Sequence, residues 1–173
     1  LSRLLQEHAL KVFETVGLAL RETDQRLKSV DADTIRTSRA LWEEISERER
    51  SSEQLGSIFV VDAQGKLLMT TRSFPTPEVD FSDRDYYTAH KSGNAGLYLG
   101  RAYVGRISDS PIFNFSIPRS SSNGSFAGVI GSSVSVAYFQ DFYKTVGDPA
   151  DKFAVLLVRE DGSMMGTVGG GCV

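Results

Sequence analysis

The stretch Asp80-Phe81-Ser82-Asp83-Arg84-Asp85-Tyr86-Tyr87-Thr88-Ala89-His90 gathers an arginine, two tyrosines and a histidine into one loop and one short helix. Arg84 offers a planar fork of N–H donors whose geometry suits a carboxylate or phosphate. Tyr86 and Tyr87 each supply a flat apolar wall with a hydroxyl at its tip. The same residues also have a purely structural reading, in which Asp83 caps the helix and a neighbouring acid neutralises Arg84.

Catalytic chemistry has less to stand on. The sequence holds no Gly-x-Ser-x-Gly elbow, no phosphate-cradling loop and no His-Glu-x-x-His. Its two histidines are His8, read as a helix-surface residue, and His90. A small α+β hydrolase using His90 with Asp83 or Asp85 is the alternative from the enzyme class. No catalytic residue, cofactor or metal site is expected. The single cysteine, Cys172, can form neither an intramolecular disulfide nor a cysteine metal site.

The elements that must position the Arg–Tyr segment follow from periodicity. Leu4, Leu5, Val12, Phe13, Val16, Leu20, Leu27 and Val30 recur near multiples of 3.6 among charged residues, which predicts a long helix over most of residues 1–50. Asp31-Ala32-Asp33-Thr34 predicts a break, because Asp favours caps over helix interiors. Ser57–Val61 and Lys66–Thr71 flank the turn residues Asp62-Ala63-Gln64-Gly65 and predict a hairpin. Ser73 to Asp83, with Pro75 and Pro77, reads as a loop, and Asp85–Lys91 as a short helix closed by Gly93. Strands are expected at Leu97–Tyr103, Pro111–Pro118 and Phe126–Val136, then a helix at Ala137–Thr145. A second hairpin, Phe153–Val158 and Ser163–Val168, echoes the first. The order gives an α+β domain in which a long N-terminal helix packs on a five-stranded antiparallel sheet, with the start of a second, smaller lobe. The divisions are 1–50 for the helical region, 51–147 for the main lobe and 148–173 for the beginning of the second.

Two strands carry opposed faces. Phe113, Phe115 and Ile117 alternate with Asn114 and Ser116, and Ile130, Val134 and Val136 oppose Gly131, Ser133 and Ser135. The large-residue face is expected to take the long helix. The small polar face leaves room beneath the Arg84–Tyr87 segment, which predicts a pocket for a small polar molecule. Arg84, Tyr86, Tyr87 and His90 are the first candidates to line it. Tyr98, Tyr103, Arg106, Asn114, Ser116 and Ser133 come second.

Bulk properties narrow the class. Nineteen basic and 22 acidic residues give a net charge of −3, and the scattered bases argue against a nucleic-acid partner. No apolar run reaches the length of a membrane span. The chain starts without Met and reads as a piece of a longer protein whose flanking membrane helices, if any, lie outside it.

On these residues the chain resembles the Cache (PAS-like) sensors that bacterial histidine kinases, chemoreceptors and diguanylate cyclases carry outside the membrane, in particular the double-lobed type. The resemblance runs through Phe59–Gly65, Ser82–His90, Gly96–Arg101, Gly105–Ser108, Gly124–Ile130, Tyr138–Tyr143 and Val158–Gly162. It implies a periplasmic module on an inner-membrane receptor, a membrane-distal ligand lobe, a homodimer through the N-terminal helix, and ligand-driven displacement of that helix. It also implies that Arg84, Tyr86 and Tyr87 match the segment that holds a ligand carboxylate in amino-acid-binding members. Ser133 stands where those members place an Asp for the ligand amine, so the implied ligand is an organic acid or similar small anion. The alternative among binding modules is a ligandless spacer that senses through a partner protein.

Overall fold

Apolar spacing builds the first element. In the computed structural model, which describes residues 2–94, 96–107, 111–135, 138, 141–142, 154–158, 162 and 164–169, helix α1 runs Ser2–Leu27. It buries Ala9, Val12, Val16, Ala19, Leu20 and Leu27, one residue per turn or nearly so. The chain breaks where expected. Asp31 caps α2 (Ala32–Thr37) by accepting from Thr34 N at 2.9 Å. Ser38 both ends α2 and caps α3 (Arg39–Arg50), accepting from Leu41 N at 3.2 Å. A bidentate pair from Arg26 to Glu44 ties α1 to α3.

The strands are β1 (Ser57–Val61), β2 (Leu67–Thr70), β3 (Tyr98–Leu99), β4 (Tyr103–Val104), β5 (Pro111–Ser120) and β6 (Phe126–Ser135). They form one antiparallel sheet of six strands in the order β2-β1-β6-β5-β3, with β4 also paired to β5. Sequence reading gives five strands because it takes Leu97–Tyr103 as one. The chain instead makes two two-residue strands that pair with different parts of β5, Tyr98 opposite Ser116 and Tyr103 opposite Ile112. Between them Gly100 approaches the Asn114 carbonyl, to which it donates at 2.8 Å.

The two sheet faces divide the core as their alternation requires. Ile58, Val60, Phe113, Phe115, Ile117, Ile130 and Val134 pack under α1 and α3. Phe59, Val61 and Val129 point the other way and are covered by Phe81, Tyr86 and Tyr87. Helix α4 (Asp85–Lys91) is thus the lid of the second face. Each large side chain buried in these clusters contributes about 1.5–3 kcal/mol. Arg119 of β5, nearly buried, reaches Asp24 of α1 at 3.4 Å and fastens the helix to the sheet.

Two of the expected elements fall at the chain's end. The second hairpin is present as β7 (Ala154–Val158) and β8 (Met164–Gly169). The expected helix Ala137–Thr145 lies largely outside the described residues. His8, expected on the helix surface, is instead half-buried and stacks on Phe142 with ring centroids 3.4 Å apart.

Candidate ligand-binding cavity

Register places a polar row across the middle of the sheet. Ser57 of β1 lies opposite Ser133 of β6, and Ser133 lies opposite Asn114 of β5. One step along, Phe59 and Ser116 flank Gly131. The Phe59 ring lies over Gly131, where an added Cβ would come within 2.4 Å of Phe59 Cζ. The aromatic side chain therefore spreads over glycine and leaves the serine–asparagine row as the floor of a hollow.

That hollow is a cavity of about 30 Å³ between the row and its cover. Ser57, Thr70, Asn114 and Ser133 form its polar floor. Phe59, Phe81, Tyr86, Ile107 and Ile112 form its apolar walls, and Tyr103, Arg72 and Arg106 complete it. The volume suffices for a water or two. Even a short ligand therefore enters only as the cover moves.

The cover is organised by hydrogen bonds around α4. Its N-cap is Arg84, with extended backbone and no side-chain cap. Asp83 does not cap the helix; it holds Arg106 in a fork, at 2.7 and 3.0 Å. This pairing keeps the Asp83 carboxyl below its ordinary pKa, Arg106 being the main cause. Asp85 turns back instead, accepting from Tyr86 N and Arg101 N at 2.8 Å each, and so joins α4 to the turn between β3 and β4.

Beneath the cover runs a polar chain. Tyr86 and Tyr103 both line the cavity, and Asn114 Nδ2 donates to the Tyr103 oxygen. Burial raises the pKa of both phenols, well above 10 for Tyr86. Both rings therefore enter any contact as neutral hydroxyls. The Arg84 guanidinium lies 4.2 Å from the centre of the Tyr103 ring, a cation–π contact. Two buried polar atoms here have no hydrogen-bond partner, Asn114 Oδ1 and Arg84 Nε.

The ten residues expected to form the site are thus distributed. Tyr86, Tyr103, Arg106, Asn114 and Ser133 line the cavity. Arg84 is stacked on Tyr103 and is not among the lining residues. The other four lie beside it in the same layer. Tyr87 donates to the Ala63 carbonyl at 2.8 Å and meets the edge of Phe126. His90 sits between Asn94 O (2.8 Å) and Ser116 Oγ (2.9 Å), with Tyr98 against its ring. Burial lowers its pKa, so the neutral ring donates from Nδ1 to the Asn94 carbonyl and accepts at Nε2 from Ser116.

Ser57, Thr70 and Arg72 are lining residues that sequence reading misses. A signal existed for Ser57, which shares the parity of Phe59 and Val61 on β1. Arg72 had none, because only the pairing of β1 with β2 brings it beside Ser57, to which its Nε donates at 3.1 Å. Among the described residues there is no group of three or more His, Cys, Asp or Glu side chains placed to hold a metal ion.

No family model matches the sequence, and no curated protein matches it. Solved structures do. The chain is similar to the extracellular domain of rpHK1S-Z16, assigned as a histidine kinase, at 26% identity and a TM-score of 0.84, covering 96% of this chain and 67% of that one. It shares the fold of the Campylobacter jejuni chemoreceptor Tlp3 ligand-binding domain, solved with 4-methylisoleucine, at 14% identity and a TM-score of 0.67, over 95% of this chain and 66% of that one. The ligand-binding domain of the Pseudomonas aeruginosa chemoreceptor PctC, solved with GABA, matches at 16% identity and a TM-score of 0.69, over 95% and 71%. The chain therefore spans about two thirds of the length of these domains. No described helix is long and apolar enough to cross a membrane.

Proposed function

Because the chain is an extracytoplasmic sensor domain of the Cache type, we propose that it serves a transmembrane receptor of the histidine-kinase kind by binding a small carboxylate-bearing metabolite between α4 and the sheet. The observation that carries this reading is the cavity itself. Two guanidinium groups, Arg72 and Arg106, stand among its walls, and its floor holds a buried asparagine oxygen without a partner. Guanidinium forks match carboxylates, and an unsatisfied buried acceptor costs about 1–3 kcal/mol until something donates to it.

Transmission follows from where the cavity lies. The ligand face and the α1 face are two sides of the same β5 and β6 strands, and Arg119 on β5 holds Asp24 on α1. A ligand that binds one arrangement of the cover better than another shifts the population of sheet and helix positions together. In this reading 51–147 is the ligand lobe, 148–173 begins a second lobe, and exposed Leu4, Leu10 and Leu18 on α1 form the seam of a homodimer. A hydrolase would need His90 as its base, and both nitrogens of that ring are already engaged.

A thermal-shift series of small mono- and dicarboxylates, with the matching neutral amides as controls, tests the proposal. A carboxylate at 100 times its dissociation constant stabilises by about 2.7 kcal/mol, or about 5–11 °C in a domain of this size. Arg72→Gln is expected to shrink the shift. A series in which no carboxylate raises Tm, or in which the amides do as well, would overturn the reading and favour a ligandless spacer.

A further inference from the structure

The floor of the cavity specifies more than a charge. Asn114 is 1% exposed. Its Nδ2 is spent on the Tyr103 oxygen, and its Oδ1 has no partner. Tyr103 accepts there, which leaves its own proton for a group in the cavity. The hollow thus presents one acceptor deep on the sheet, a phenolic donor beside it and guanidinium donors farther along its wall. We infer that the ligand is a short 2-hydroxycarboxylate, its hydroxyl donating to Asn114 Oδ1 while its carboxylate takes the Tyr103 proton and the Arg72 guanidinium. This rests on the reading that the cavity takes a carboxylate, and adds to it the neighbouring group.

Why a hydroxyl and not an ammonium follows from the charges. Both groups could donate to Asn114 Oδ1. An ammonium would be desolvated beside the Arg72 guanidinium, and no acidic side chain is among the described lining residues to compensate it. Of the neighbouring acids, Asp83 is held by Arg106 and Asp85 accepts from Tyr86 N and Arg101 N. A hydroxyl satisfies the same oxygen without bringing charge. The small volume and the apolar wall of Phe59, Phe81 and Ile112 select a short carbon skeleton.

Three acids of one size make the test: 2-hydroxypropanoate, propanoate and alanine, titrated calorimetrically into the domain. The hydroxy acid is expected to bind at least tenfold more tightly than either of the others, since a site built for a hydroxyl rejects the analogue that lacks one. Asn114→Ala should remove the preference of the hydroxy acid over propanoate. Arg72→Gln, at a residue exposed enough to spare the fold, should weaken all binding and leave the ratio intact. Equal affinity for propanoate and the hydroxy acid, or tighter binding of alanine, overturns the inference while leaving the carboxylate reading standing. Binding of none of the three, with longer acids also inert, sinks both.

Discussion

His90→Phe separates a structural histidine from a ligand-contacting one. His90 is 3% exposed and Ser116, its partner at 2.9 Å, is fully buried. Phenylalanine keeps a ring against Tyr98 and removes both nitrogens. The Asn94 and Ser116 hydrogen bonds are worth about 0.5–1.5 kcal/mol each, and Ser116 Oγ is then left buried without a partner, at about 1–3 kcal/mol more. The loss should total about 2–6 kcal/mol, which lowers Tm by about 4–24 °C at this chain length. The pH profile sharpens the test. Burial lowers the His90 pKa from 6.5, so below pH 6.5 the unfolded chain binds a proton that the folded chain takes up only at lower pH. Stability contributed by the neutral ring is therefore complete above pH 6.5 and falls as pH drops toward the folded value. Urea denaturation of parent and variant at pH 7.5 and 5.5 reads both effects. The variant should lose part of the acid-side slope, the remainder belonging to His8, whose pKa burial also lowers. A variant as stable as the parent, or one that keeps its stability while losing ligand-induced stabilisation, would show that His90 serves the ligand and would refute the assignment.

The Arg119–Asp24 pair should respond asymmetrically, because the arginine side chain is 9% exposed and the aspartate 26%. Asp24→Asn leaves a buried guanidinium without a countercharge and should cost about 2–4 kcal/mol, whereas Arg119→Met leaves an acid that water can reach and should cost about 1–2 kcal/mol; denaturant midpoints showing the reverse order would count against the pin between α1 and the sheet. Gly128→Ala forces a side chain onto φ +117°, with its Cβ 1.9 Å from the Val61 carbonyl, and should destabilise by about 3 kcal/mol or more. A Tm within a few degrees of the parent would contradict that geometry. Leu18→Glu, at a residue 54% exposed on α1, should shift sedimentation equilibrium toward monomer without lowering Tm. No shift would place the seam elsewhere or exclude a dimer.

Much of the architecture is legible in the chain because alternation and helical spacing are local. Val12, Val16 and Leu20 mark the buried face of α1, Asp31 marks a cap, and the opposed faces of Phe113–Ile117 show which side the helix takes and which side stays hollow. Of the Arg–Tyr segment, α4 buries Tyr86 and Tyr87 over Phe59 and Val129, and Tyr86 lines the hollow. The split of Leu97–Tyr103 into two strands is less legible, because two-residue pairings carry almost no pattern of their own.

The sequence by itself determines that an apolar helix lies on one side of a sheet and small polar residues on the other, since each needs only the spacing of neighbours along the chain. Which of those polar residues share one cavity is decided in three dimensions. Register sets Ser57, Ser133 and Asn114 in one row and Ser116 in the next, where His90 occupies it. The β1–β2 pairing carries Arg72 to Ser57, and stacking on Tyr103 draws Arg84 aside. A one-residue change of register would send each of these side chains to the opposite face, so the identity of the site belongs to the pairing of distant strands.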